Sequence, residues 1–410
     1  MKYIIKRNST QLKGDVALKP TKSIGNKVLV LRVMKNANIA QRINSERDDA
    51  QMVDHHLFAD GQRGDVRKAV RYARAVLNYF GGEWLVSSSS ILKKRSAKKF
   101  AQILEHAGVN IRHEEREGRP PIRVVAKNVR GNVARVDGTI SSKMAEVRFI
   151  FPSTTPVEAL HTLKETIYKS NYINLSLKAL QRLGVNTDWS REQVLVEQEV
   201  IDGSELILEA DWSLASYWYL WVALMRKAKL NIDGLEPENI QPDQAVKELF
   251  SRFGVKTEVH QQGILLRHDG KPTRTFAHHF GSYPNLIPSM VVACVGLGIP
   301  FIISGIEPLH KRDPDRIWAM QRELKKVGAQ IEVVNTEQGE TLNFNGKSNM
   351  GKLKDIEFDT YDEGRLVLAL TALAAKGPTV RVNNPLVVNK SYMNFWGELR
   401  RLGISVETEQ

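Results

Sequence analysis

Leu324-Lys-Lys-Val-Gly328-Ala-Gln-Ile-Glu-Val-Val decides the reading of this chain, because four other segments repeat its form. They are Ile103-Leu-Glu-His-Ala-Gly108-Val, Leu180-Gln-Arg-Leu-Gly184-Val, Leu249-Phe-Ser-Arg-Phe-Gly254-Val and Leu399-Arg-Arg-Leu-Gly403-Ile. Each reads as a charged amphipathic helix, stopped by Gly and followed by a short strand. Apolar residues three and four apart supply the buried face. Gly ends the helix because a left-handed residue there carries no Cβ penalty. Alternation after it, as in Ala329-Gln-Ile-Glu-Val-Val, supplies a half-buried strand. The five glycines are 76, 70, 74 and 75 residues apart. A period that long is a whole folding unit rather than one turn of a solenoid. The chain therefore reads as one βα-type unit used five or six times.

Composition bounds the rest. At 410 residues the chain exceeds what one core serves, so two domains are expected. Hydrophobic content of 42% with 26% charged residues is ordinary for a globular protein. The opening Met1-Lys-Tyr-Ile-Ile-Lys-Arg lacks the apolar stretch of a signal peptide. The most apolar region, Leu286 to Ile306, contains Pro288, Gly296, Gly298 and Pro300, so it predicts a buried helix-turn-strand rather than a membrane span. Cys294 is the single cysteine, which excludes a disulfide framework and a cysteine-built zinc site and points to a cytoplasmic location. The net charge is +13, which favours anionic partners. The basic residues are spread through the repeats, and no nucleic-acid-binding motif is visible, so small phosphorylated or carboxylated ligands fit better than nucleic acid.

Several segments place cations and hydroxyls at helix starts, where free N–H groups and the helix dipole favour an anion. They are Lys22-Ser23-Ile-Gly-Asn26-Lys27, the basic run Lys93 to Lys99 with Arg95, and Ser141-Ser142-Lys143. His310-Lys311-Arg312-Asp313-Pro314-Asp315-Arg316 crowds ionisable groups of both signs at one helix start, with Asp313 and Asp315 suited also to plain capping. Asp362-Glu363-Gly364-Arg365 and Val388-Asn389-Lys390-Ser391-Tyr392 each set a cation near a turn. No nucleophile triad, P-loop or metal-spaced histidine pair is present; His55-His56 and His278-His279 lack the i, i+4 spacing.

Taken in order, these segments resemble the 5-enolpyruvylshikimate-3-phosphate synthase family. Pro20-Thr-Lys-Ser-Ile-Gly-Asn-Lys27 resembles its opening P-x-S-K-S-x-S-N-R. Glu209-Ala-Asp211-Trp-Ser213-Leu-Ala-Ser216-Tyr is similar to D-x-S-x-A-S-Y. Arg312-Asp-Pro-Asp315-Arg316-Ile resembles K-E-S-D-R-I, and Asn389-Lys390-Ser391-Tyr392 resembles the closing K-S-Y/F-P. The likeness runs from about Leu18 to Gly403. It implies an α/β fold of two similar domains, an inverse α/β barrel in which each domain holds three βαβαββ units about a pseudo-threefold axis. One domain would be 19–208; the other would join 1–18 to 209–410, with the sixth copy drifted near Met52–Gly61 and the active site between domains. It implies transfer of the enolpyruvyl group from phosphoenolpyruvate to shikimate 3-phosphate, with release of phosphate, by a monomer using no metal or organic cofactor. Lys22, Arg95, Arg316, Arg365 and Lys390 would hold phosphoenolpyruvate. Ser23, Lys27, Ser141, Ser142 and Lys143 would face shikimate 3-phosphate, with Asp49 nearby. Lys22, Asn285 and Asp313 would stand at the catalytic positions.

The departures fall on the chemistry. The family's N-A-G-T-A-M-R loop becomes Asp65-Val66-Arg67-Lys68-Ala69-Val70-Arg71, so two long side chains replace Gly-Thr beside phosphoenolpyruvate. P-D-L-A-P becomes Pro284-Asn285-Leu286-Ile287-Pro288, and an amide cannot serve as a base near neutral pH. The catalytic Glu becomes Asp313, a Gln becomes Lys143 and a phosphate-binding Ser becomes Lys169. Three readings follow: a working synthase with unusual residues, a diverged relative that binds an anion and transfers poorly, and, ranked last, a nucleic-acid binder.

Overall fold

The computed structural model describes residues 1–18, 210–225, 227–236, 241–310 and 315–409, and between the first two of these 82–86, 110–114, 122–126, 159–162, 178, 181, 187–190 and 193–196. The chain divides into two compact units, Met1–Pro20 with Glu209–Gln410, and Thr21–Leu208.

Two strands, β1 (Lys2–Arg7) and β2 (Gln11–Ala17), precede the second unit. Within that unit lie β3 (Gly82–Val86), β4 (Asn110–His113), β5 (Ile122–Ala126), β6 (Ala159–Thr162), β7 (Thr187–Ser190) and β8 (Gln193–Val196). They form two antiparallel sheets, ordered β3-β5-β4 and β6-β8-β7.

The chain then returns to the first unit and completes a repeat with β2: α1 (Trp212–Leu224), β9 (Lys227–Asp233), α2 (Val246–Ser251), β10 (Val255–His260) and β11 (Gly263–His268). The next repeat is β12 (Phe276–His279), α3 (Ile287–Leu297), β13 (Phe301–Ser304), a short α4 (Glu307–His310), α5 (Arg316–Lys325), β14 (Ile331–Thr336) and β15 (Gly339–Phe344). The last is β16 (Asp355–Phe358), α6 (Gly364–Thr371), β17 (Thr379–Asn383), α7 (Phe395–Arg401) and β18 (Ile404–Glu409), closed by β1.

Each repeat is βαβαββ, and each makes one four-stranded sheet: β2-β9-β11-β10, β12-β13-β15-β14 and β16-β17-β1-β18. The first pair of every sheet is parallel and the other two are antiparallel. A parallel pair needs a helical crossover, whereas antiparallel neighbours can be joined by a tight turn. That is why the first helix of a repeat joins its first two strands and, in the first two repeats, the third and fourth strands follow as a hairpin, whereas in the last repeat β1 from the other end of the chain pairs with β18. The two sheets of the second unit show the same order as the last three strands of these sheets.

The two helices of a repeat differ in kind. The first is enclosed: all 13 residues of α1 are buried, as are Ile287–Gly296 of α3 and Leu366–Thr371 of α6. These three pack on one another and form the core. The second helix, α2, α5 or α7, buries one face and carries the charges seen in the repeated segments.

Gly254, Gly328 and Gly403 follow those outer helices with φ of 82°, 73° and 82° and lead into β10, β14 and β18. Gly108 and Gly184 lie outside the described residues, as does the stretch Met52–Gly61; β4 and β7 begin shortly after these two glycines. The apolar region is α3, a left-handed Gly298 with φ of 69°, and β13. Cys294 is buried inside α3, and burial pushes its thiol pKa far up, which keeps it inert. Among the described residues no helix is long and apolar enough to cross a membrane.

The glycine positions yield a comparison. A Cβ at Gly254 would lie 2.6 Å from the Gly270 carbonyl oxygen, whereas one at Gly403 would meet nothing within 4 Å. Gly403→Ala should therefore cost only the left-handed penalty, about 1–2 kcal/mol. Gly254→Ala should cost clearly more in urea unfolding, because backbone must also move. Equal losses would show that the Gly270 turn yields freely.

Candidate functional site

The sides of the enclosed helices carry a few hydroxyls, as at Ser216, Tyr217, Tyr219, Ser289 and Thr371, but no charged group, and the charged groups collect at their N-terminal ends. At α1, Asp211 is the N-cap: its Oδ1 accepts from the Ser213 and Leu214 amides at 2.9 and 3.3 Å and from the Ser213 hydroxyl at 2.5 Å. Gln241 covers the same end. It accepts from the Trp212 amide at 3.1 Å and donates to the Ala210 carbonyl at 2.8 Å. Each bond satisfies a backbone group that the helix ladder leaves open.

At α6, Glu363 is the N-cap, accepting from the Arg365 amide at 3.4 Å. Gly364 has a steric role here, since a Cβ on it would lie 2.8 Å from the Val387 carbonyl oxygen. That close approach packs the start of α6 against the 3-10 turn Pro385–Lys390. The Asp362–Arg365 and Val388–Tyr392 segments, separate in sequence, meet there.

Two arginines join these ends. Arg365 Nη1 donates to Ser213 Oγ at 3.0 Å, tying α6 to α1. Arg316 begins α5 behind its N-cap Asp315. Its Nε and Nη2 donate to the same Glu363 oxygen at 3.0 and 2.7 Å, in a pair whose side chains are 3% and 14% exposed. Arg316 Nη1 is buried with no hydrogen-bond partner among the described residues. Removing one member of such a buried pair typically costs about 3–5 kcal/mol, because the other charge is stranded. The buried Tyr217 phenol lies beside both guanidiniums; burial raises its pKa and the two cations oppose the rise. Tyr392, of the closing segment, accepts from Trp218 Nε1 of α1 at 3.2 Å.

The sequence-derived site residues divide accordingly. Arg316 and Arg365 are brought together through Glu363, and Lys390 ends the turn that α6 packs against; only its backbone is described. Asn285 is half-buried in the 3-10 turn Pro284–Leu286 that leads into α3, and this turn packs on α1. Lys22, Ser23, Lys27, Asp49, Arg67, Lys68, Arg95, Ser141, Ser142, Lys143, Lys169 and Asp313 lie outside the described residues. Asp315 is a plain cap that also binds His310 Nδ1 at 2.6 Å.

Sequence reasoning passed over Glu363 as the partner of Arg316, Ser213 as a contact of Arg365, and Asp243. The last is buried in the turn Pro242–Ala245, with Oδ1 lacking a partner among the described residues. Its only signal was an acid following Gln-Pro, which reads as a turn. Burial, then the neighbouring Asp211, push its pKa up to about 7, against the pull of Arg365. Among the described residues no cluster of His, Cys, Asp and Glu suited to a metal ion occurs.

Comparison with known proteins fits this geometry. The family profile described as EPSP synthase (3-phosphoshikimate 1-carboxyvinyltransferase) matches residues 67–399. A 3-phosphoshikimate 1-carboxyvinyltransferase of Bacteroides fragilis (strain YCH46) is 27% identical over 411 residues, covering 99% of each chain. One from Photobacterium damsela subsp. piscicida is 23% identical over 425 residues, covering 95% of this chain and 97% of its own. Among solved structures, EPSP synthase from Acinetobacter baumannii superposes with a TM-score of 0.73 at 15% identity over the full length of both chains. The enolpyruvyl transferase NikO from Streptomyces tendae gives 0.70 at 13% identity, covering 99% of this chain and 98% of that one.

Asp243 carries a pH prediction. Its carboxyl keeps its proton in the folded chain at pH values where the unfolded chain, near 3.8, has released it. The stability it contributes is therefore fully present below pH 4 and is lost as pH rises through about 7. Asp243→Asn removes this titration. Urea melts should show the variant gaining on the wild type between pH 4 and 8, by up to roughly 4 kcal/mol. A difference independent of pH would mean that Asp243 titrates as an ordinary surface acid.

Proposed function

The chain belongs to the EPSP synthase (3-phosphoshikimate 1-carboxyvinyltransferase) family, and from that membership we propose that it binds shikimate 3-phosphate and phosphoenolpyruvate and transfers the enolpyruvyl group between them slowly. The observation that carries the binding half is the pair Arg316 and Arg365, held through Glu363 and Ser213 at the N-terminal ends of enclosed helices. Guanidiniums and helix N-termini both favour phosphate and carboxylate. In this reading Arg316, Arg365 and Lys390 serve phosphoenolpyruvate together with Lys22 and Arg95, while Ser23, Lys27, Ser141, Ser142 and Lys143 serve shikimate 3-phosphate. The reaction uses no metal or organic cofactor, and the protein acts as a cytoplasmic monomer.

The slow turnover follows from residue chemistry. The transfer requires a group to take the proton of the attacking hydroxyl, and Asn285 stands where the family places an acid. Loss of a general base typically costs about a hundred- to ten-thousandfold in rate. Arg67 and Lys68 replace the small pair that leaves room for phosphoenolpyruvate. These departures equally favour a second reading, a binder of another phosphorylated anion that performs no transfer.

Phosphate release from the purified protein with both substrates tests the proposal. We expect the wild type to turn over far below the rate usual for enzymes, about 10 per second. Asn285→Asp alone should help little while Arg67 fills the space. Adding Arg67→Gly and Lys68→Thr should raise release by more than the separate gains predict, since the groups act on one transition state. An ordinary rate in the unmodified protein would refute the assignment and make Asp313 the next candidate for the base.

A further inference from the structure

The contact between Arg316 and Glu363 does more than neutralise a buried charge. A guanidinium presents five N–H groups along distinct edges, and a small anion can approach any of them. Here one carboxylate oxygen takes Nε and Nη2 together, at 3.0 and 2.7 Å. That edge is closed. What remains is the side bearing Nη1, buried and without a partner among the described residues.

The segment that delivers Glu363 is held under strain. Tyr361 and Asp362, immediately before it, have φ of 48° and 56°, a region that residues with side chains enter at a cost. Two contacts with α5 hold Tyr361 in place. Its hydroxyl donates at 2.5 Å to Glu323, which is fully buried, and its ring meets Trp318 edge-on with centroids 5.2 Å apart. Glu323 lies two helical turns beyond Arg316 on the same helix. The segment therefore grips α5 at both ends, through Glu323 and through Arg316, and the second grip fixes the plane of the guanidinium.

We infer that Glu363 is a specificity-determining residue: by closing the Nε–Nη2 edge of Arg316, it leaves one direction from which an anion can bind. A ligand whose anionic groups are joined by a carbon frame, and held elsewhere by Arg365, suits that single direction. Free phosphate gains nothing from it and loses the other approaches. This inference rests on the anion-binding role given to Arg316 above.

The test is the ratio of affinities for phosphoenolpyruvate (with shikimate 3-phosphate present) and for inorganic phosphate, measured by titration calorimetry. A change in net charge acts on both ligands and largely cancels in the ratio. Glu363→Ala should lower the ratio about tenfold or more, since the guanidinium is then neither fixed in plane nor restricted to one open side. Glu363→Gln keeps a carbonyl oxygen at the same place and should hold the ratio within about threefold. In an Arg316→Gln background, Glu363→Ala should have no further effect on the ratio, because the two residues act as one unit. A ratio unmoved by Glu363→Ala, or an effect that persists without Arg316, overturns the inference. If Glu363→Ala does not fold, Arg316→Lys carries the same test: an ammonium has no edges to close, so the ratio should fall likewise, and an unchanged ratio overturns the idea. A wild type that binds phosphate but not phosphoenolpyruvate refutes the substrate reading alone. Edge closure is then read from phosphate affinity, which should tighten severalfold more in Glu363→Ala, where the closed edge opens, than in the equally uncharged Glu363→Gln; equal tightening, or none, refutes it as well. Binding of neither ligand refutes both.

Discussion

A helix buried on every side constrains all that surrounds it. In α1 each of the 13 residues is buried, including Trp212, Trp218 and Trp221. Such a helix has no solvent face to orient it, and each polar atom on its flanks needs an internal hydrogen-bond partner or is left unsatisfied: Trp218 Nε1 and the Tyr219 hydroxyl find one, whereas Trp212 Nε1, Trp221 Nε1 and the Tyr217 hydroxyl have none among the described residues. Enclosing it takes two further helices of the same kind, α3 and α6, with a four-stranded sheet from each repeat outside them. Polar chemistry is thereby driven to the helix ends. Asp211, Asn285 and Glu363 stand at the starts of the three enclosed helices or one step before them, in equivalent places of three repeats. The location of the site is a consequence of how the core is filled.

Much of this architecture was legible in the sequence, and the legible part has a common cause. The outer helices show periodicity because they have two faces, and their glycines mark where the backbone turns left-handed. Gly254, Gly328 and Gly403 carry local signals that need no distant partner. The enclosed helices were harder to read. Trp212–Leu224 is apolar all round and has no moment to detect, so it appeared only as a likeness to a family motif. The sheet partners of β1 were not legible either, since nothing in Lys2–Arg7 names a partner near the other end of the chain. Within the site, the cations were legible as cations near turns. Their anionic partners were not, because Arg316 and Glu363 are 47 residues apart and meet only after the repeats pack.

The two site cations of the first unit have counter-charges close by. Glu363 answers Arg316, Asp211 answers Arg365 through the Ser213 hydroxyl, and burial holds the Asp243 proton up to about pH 7. Arg316 and Arg365 are thus built in with counter-charges supplied by the fold. The sequence departures at Arg67, Lys68, Lys143 and Lys169 all add positive charge, and all belong to the second unit.

The place of β1 in its sheet has a consequence for synthesis. It lies between β17 and β18, with Lys2 opposite Asn383 on one side and Glu409 on the other. Both neighbours leave the ribosome nearly a whole chain length later. At about 5–20 residues per second, that interval is tens of seconds. Through it the strand has two open hydrogen-bonding edges and no partner from its own sheet, a condition that favours pairing with foreign chains. Lys2, Lys6 and Arg7 give it three cations in six residues, and like charge is what keeps identical nascent strands apart. The basic residues of this opening segment then protect an edge that waits for β17 and β18 to be made.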